Sequence, residues 1–67
     1  MLIKRSITIK KHRTSLSLEK EFWDALKIVA KEQKCSMENL VAEIDSNKKT
    51  SLASSIRVYL LKFYMKD

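Results

Sequence analysis

Arg13, Ser15 and Ser17 occupy alternate positions of the run Arg13-Thr14-Ser15-Leu16-Ser17-Leu18, with leucines between and after them. Successive side chains of a pleated strand point to opposite faces, so this spacing puts a guanidinium and two hydroxyls on one face and two leucines on the other. A guanidinium fork can donate two parallel hydrogen bonds to O6 and N7 of guanine, and a serine hydroxyl can donate to or accept from several base edges. The polar face therefore has the chemistry needed to read a DNA major groove. The leucine face has to be buried. Residues 13 to 18 have no evident partner strand within the chain, and an isolated strand is marginal in water. A second copy of the chain is the expected partner. Two copies would bury their leucine faces in a shared core and present a two-stranded antiparallel ribbon narrow enough for the major groove.

The charge distribution supports this reading. Residues 1 to 18 carry Lys4, Arg5, Lys10, Lys11 and Arg13 and no acid, a balance of +5 out of a net +6, whereas residues 19 to 67 carry nine bases against eight acids. A localised basic excess attracts a polyanion and releases its counterions. Residues 3 to 9 alternate in the same way, with Ile3, Arg5, Ile7 and Ile9 on one face and Lys4, Ser6, Thr8 and Lys10 on the other. They are either an extra strand, able to pair with residues 13 to 18 through Lys10-Lys11-His12, or a basic arm that orders on DNA. The connecting Lys10-Lys11-His12 contains no Gly, Asn or Asp to favour a tight hairpin turn.

Helices are needed to cover the leucines. From Glu19 the period lengthens to 3.6, with Phe22, Ala25, Leu26, Val29 and Ala30 forming one stripe, so a first helix is predicted over 19 to 33. Trp23 and Ile28 lie beside that stripe. Ser36 is a good N-cap for a second helix over about 36 to 45, carrying Met37, Leu40, Val41 and Ile44. After the turn formers Asp45-Ser46-Asn47, Thr50 or Ser51 caps a third helix that runs to about Met65. Its first stripe is Leu52, Ile56, Tyr59, Leu60 and Phe63, and Val58, Leu61 and Met65 make a second, so the helix is apolar nearly all round. A single chain this short has little else to bury it with, which again points to a partner subunit.

The order of strand RTSLSL, first helix EKEFWDALKIVAKEQ and the following KCSMENLVAEI resembles the ribbon-helix-helix family of Arc- and Met-repressor-like DNA-binding proteins. The longer run from KRSITI through HRTSLSLEKEFWDALK is similar to a subgroup of small bacterial members with an N-terminal extension and an added C-terminal helix. The resemblance implies a mostly α fold with a short N-terminal β-ribbon, built as an intertwined homodimer around an intersubunit antiparallel ribbon. Residues 1 to 12 would be the basic arm or extra strand, and residues 13 to 67 the domain itself. It implies a transcriptional regulator, a repressor of sequence-specific type, in which Arg13, Ser15 and Ser17 meet base edges; with no membrane-spanning or signal-peptide stretch in the sequence, a cytoplasmic protein is expected. Phosphates would be met by Lys4, Arg5, Lys10, Lys11 and the backbone amides of Ser36 and Met37. The shared dimer core would comprise Leu16, Leu18, Phe22, Leu26, Val29, Leu40 and Ile44. SLASSIRVYLL also resembles the family's second helix. On that alignment residues 36 to 49 are an insertion, and Thr50 and Ser51 become the phosphate anchors.

Other chemistries find little support. There is no Gly-rich phosphate loop, no evident carboxylate pair and no Ser/His/Asp arrangement, so an enzyme is not expected. His12 and Cys35 are single residues without metal-ligand spacing, and no metal or other cofactor is expected. His12 reads as a solvated turn residue and Cys35 as a small packing residue. No apolar run reaches the roughly 20 residues of a membrane span. The main alternative is an antitoxin or assembly module whose hydrophobic C-terminal helix grips a protein partner. RNA or membrane-surface binding is disfavoured, because the basic residues lie on strand and arm and not along one helix face.

Overall fold

The computed structural model describes residues 1–66, which form two strands followed by three helices: β1 (Leu2–Ile9), β2 (His12–Glu19), α1 (Lys20–Glu32), α2 (Met37–Ser46) and α3 (Leu52–Met65). The strands pair with each other as an antiparallel hairpin in a register running from Leu2 opposite Glu19 to Ile9 opposite His12. This corrects the expectation that residues 13 to 18 lack a partner in their own chain. Residues 3 to 9 are that partner, a full strand and not a loose arm.

The hairpin closes through Lys10 and Lys11, both in the left-handed region at φ 51° and 70°. Two positive φ values in a two-residue loop match the right-handed twist of the flanking strands, which is why such turns usually carry Asn-Gly. Here lysines adopt that geometry, held by what surrounds them. Ile7 and Ile9 of β1 and Leu16 and Leu18 of β2 are all buried against the helices, and Lys10 Nζ donates to Ser46 Oγ on α2 at 2.8 Å.

A third left-handed lysine, Lys34 at φ 58°, ends α1. The Cys35 amide donates to the Ala30 carbonyl at 3.0 Å and the Lys34 amide to the Lys31 carbonyl at 3.1 Å, the paired bonds of a Schellman cap that normally places glycine at this position. The tight connection to α2 thus forms without glycine. Left-handed geometry costs a residue bearing a Cβ about 1 to 2 kcal/mol, partly offset in glycine by its freer unfolded chain. Lys34→Gly is therefore expected to raise stability by about 0.5 to 1 kcal/mol. Chemical denaturation should show a higher midpoint with an unchanged slope.

The helices have the expected caps. Ser36 Oγ accepts from the Asn39 amide at 3.0 Å, and Ser51 Oγ accepts from the Ser54 amide at 3.2 Å. Glu19, at the first helix where a small capping residue is usual, makes no side-chain cap. Its Oε1 instead accepts from Nε and Nη2 of Arg57 at 3.2 and 3.0 Å, joining the end of β2 to α3.

The core lies between the hairpin and the three helices and includes Leu18, Trp23, Leu26, Val29, Leu40, Val41, Ile56 and Leu60. The buried stripe of α1 is Trp23, Leu26, Val29 and Ala30, rotated from the stripe read in the sequence. Trp23 causes the rotation: its Nε1 donates to the Ile3 carbonyl at 2.9 Å, tying α1 to β1. Phe22 is left half-buried on the α3 side, where the Arg57 guanidinium lies 5.7 Å from its ring centre.

Candidate nucleic-acid interface

The hairpin turns one face to the helices and one to solvent. On the solvent face the register sets Lys4 opposite Ser17, Ser6 opposite Ser15 and Thr8 opposite Arg13. All are exposed except the half-buried Ser17. The alternation read in the sequence therefore holds for Arg13, Ser15 and Ser17, with Leu16 and Leu18 buried on the reverse. Residues 2 to 18 carry no carboxylate, so Lys4 and Arg13 on the face, with Lys10 and Lys11 at the tip, form a positive surface. Ser6 and Thr8 join this surface only through the hairpin register. Their alternation with Lys4 was visible in the sequence, but nothing there showed which strand they lay beside.

The two edges of the hairpin differ. α2 packs against β1, and Glu38 Oε2 accepts from the Thr8 amide at 3.3 Å, occupying part of that strand's outer edge. α1 and α3 pack against β2. Because Ile9 and His12 flank a two-residue turn, they form the first hydrogen-bonded pair of the ladder. Alternation then directs the backbone N–H and C=O groups of Arg13, Ser15 and Ser17 away from β1. Such an edge is a template for another strand.

Arg5 lies apart from the polar face. It shares the helix-facing side of β1 with Ile3, Ile7 and Ile9, and its guanidinium stands 5.1 Å from the centre of the Trp23 ring, a cation–π contact. Ser36 and Met37 sit at the start of α2, whose first turn reaches the edge of β1 through Glu38; Met37 is half-buried against the core. Thr50 and Ser51 stand at the start of α3, which packs against β2. Of the seven residues expected in a shared dimer core, Leu16, Leu18, Leu26, Val29, Leu40 and Ile44 are already buried within one chain, and Phe22 is only half-buried.

α1 and α3 bound an open groove of about 310 Å³ lined by Phe22, Ala25, Val58, Leu60, Leu61 and Tyr64 together with Glu21 and Arg57. Val58, Leu61, Tyr64 and Met65 are exposed, so the second apolar stripe of α3 has no cover in one chain. At the β2 end of the groove, the Glu19 carboxyl is held below its ordinary range, first by a hydrogen bond from its own backbone and next by the Arg57 guanidinium. Among the described residues, no group of three metal-ligating side chains is assembled, and no helix is long and apolar enough to cross a membrane.

A family model described as a ribbon-helix-helix domain matches residues 2–64, nearly the whole chain. No curated protein and no solved structure matches it.

Proposed function

The chain belongs to the ribbon-helix-helix family, and from that premise we propose that it is a homodimeric, sequence-specific double-stranded DNA-binding protein acting as a transcriptional repressor in the cytoplasm. The observation that carries the reading is a basic strand face, free of carboxylates from residue 2 to residue 18, beside a strand edge whose backbone groups point away from β1. Two copies would join edge to edge through β2, and Arg13, Ser15 and Ser17 of both would enter the major groove together. Lys4, Lys10 and Lys11 would meet phosphates, with the amides at the start of α2 nearby. Arg5, stacked on Trp23, has a structural part instead.

The groove between α1 and α3 reaches the end of β2 through Arg57, which bonds Glu19. Its occupant in this reading is a second copy. Sedimentation at micromolar concentration should therefore report about twice the 7.9 kDa chain mass. A monomer that binds no DNA would favour the antitoxin or assembly reading, with the exposed face of α3 gripping another protein.

Selection of sites from random duplexes, followed by titration of the selected site across a salt series, tests the DNA reading. Affinity should fall steeply with salt, and changing Lys10 and Lys11 to Gln should reduce the log-log slope by roughly 0.9 for each phosphate contact removed. Truncating residues 1 to 11 is not a suitable control, because Ile7 and Ile9 belong to the core. An unchanged slope in the double substitution would take the hairpin tip off the phosphates.

A further inference from the structure

The asymmetry of the hairpin edges fixes more than the dimer contact. We propose that the DNA-bound sheet is four-stranded in the order β1-β2-β2-β1, and that each β1 lies over a phosphate backbone while the central β2 pair reads the bases. The inference rests on the DNA-binding reading above and assigns separate roles to the two strands of the hairpin.

Strand spacing carries the argument. Neighbouring strands lie about 4.8 Å apart, so the two β2 strands fit inside a major groove about 12 Å wide, whereas the outer strands stand about 14 Å apart. That separation puts the polar side chains of β1 above the groove walls. A single hairpin would be narrow enough to enter alone, but its β1 edge carries α2. The Glu38 carboxylate on the Thr8 amide and the Lys10–Ser46 contact hold the helix at the edge that would have to pass between the phosphates. Among the described residues no side chain from a helix bonds the outward backbone groups of Arg13, Ser15 and Ser17, so the sheet can extend there, and it closes at two copies.

The contacts along β1 should be graded. Lys4 and Ser6 face solvent opposite Ser17 and Ser15, and the carboxylate diagonal to Lys4 on that face, Glu19, is paired with Arg57. Thr8 stands next to Glu38, whose charge repels phosphate, so it should contribute least. Lys4 and Ser6 are thus affinity residues without sequence preference, in contrast to Arg13 across the sheet.

The test uses the full chain with Lys4→Gln, Ser6→Ala and Glu38→Gln. Each is read by equilibrium binding to the selected and to random duplexes, by repeated site selection, and by thermal unfolding to confirm that the fold is unchanged. Lys4→Gln, present in both subunits, should weaken binding to every duplex by about 3- to 10-fold, with Ser6→Ala smaller and in the same direction. Glu38→Gln should strengthen it, and the selected motif should stay the same in all three. A motif altered by Lys4→Gln or Ser6→Ala would mean that β1 reads bases, and equal affinity of these variants and wild type would mean that β1 never reaches the DNA. Either result overturns the four-stranded arrangement while leaving DNA binding intact. If the unsubstituted protein bound no duplex, the DNA reading would fall and this inference with it.

Discussion

Trp23→Ala should remove between about a third and all of the chain's folding stability. A buried aromatic replaced by alanine loses about 3 to 5 kcal/mol, and a domain of this length has a total stability of only about 3 to 10 kcal/mol. Trp23 lies at the upper end of that loss for a specific reason. Its indole is almost wholly buried, its Nε1 is bonded to the Ile3 carbonyl at 2.9 Å, and its face receives the Arg5 guanidinium at 5.1 Å. It is the main link between α1 and the first half of β1, so removing it should release the hairpin as well as open a cavity. Circular dichroism should show a broad transition in place of a cooperative one. Trp23→Phe keeps most of the packing and loses the hydrogen bond, and should cost about 1 to 2 kcal/mol with cooperativity retained. If Trp23→Ala melted cooperatively within about 1 kcal/mol of wild type, the tie between α1 and β1 would not be what holds the hairpin.

Trp23 also shows where the sequence was harder to read. Periodicity alone puts Phe22 and Trp23 on adjacent faces of α1, and an even stripe selects Phe22, yet Trp23 is buried because β1 supplies an acceptor for its N–H at a separation of twenty residues. The Glu19–Arg57 bond across thirty-eight residues is equally invisible to local patterning. The lysine turns were obscured for another reason. Propensity disfavours lysine at positive φ, but tertiary packing on both sides of Lys10-Lys11 and the Schellman bonds around Lys34 outweigh a penalty of one or two kcal/mol each. Features set by neighbours in sequence were legible: the two faces of residues 13 to 18, the serine caps at Ser36 and Ser51, and the exposed second stripe of α3. The polar face was legible by half. Arg13, Ser15 and Ser17 followed from alternation, as did Arg5 on the isoleucine face of β1, but Ser6 and Thr8 required the register to join them, and the contact of Arg5 with Trp23 required the fold.

Arg13→Ala and Leu16→Ala should separate recognition from folding along a single strand. Arg13 is exposed and has no hydrogen-bond or ion-pair partner among the described residues, so its removal should leave thermal unfolding within about 0.5 kcal/mol of wild type. In the proposed complex it can donate twice to one guanine, and its loss should cost about 1 to 3 kcal/mol at the selected site, with a smaller loss on random duplexes and relaxed preference at one base position per half-site. Leu16 is 4% exposed on the opposite face of the strand. Alanine there should cost about 2 to 5 kcal/mol of fold stability, a loss that now falls on each chain because the leucine is buried without a partner. DNA affinity of this variant should fall only in proportion to the unfolded fraction, so adding excess specific duplex should raise its melting temperature toward wild type. The reverse pattern, in which Arg13→Ala unfolds the chain and Leu16→Ala folds normally but loses its site preference, would place the reading face on the leucine side of β2 and remove the basis for the proposed groove contact.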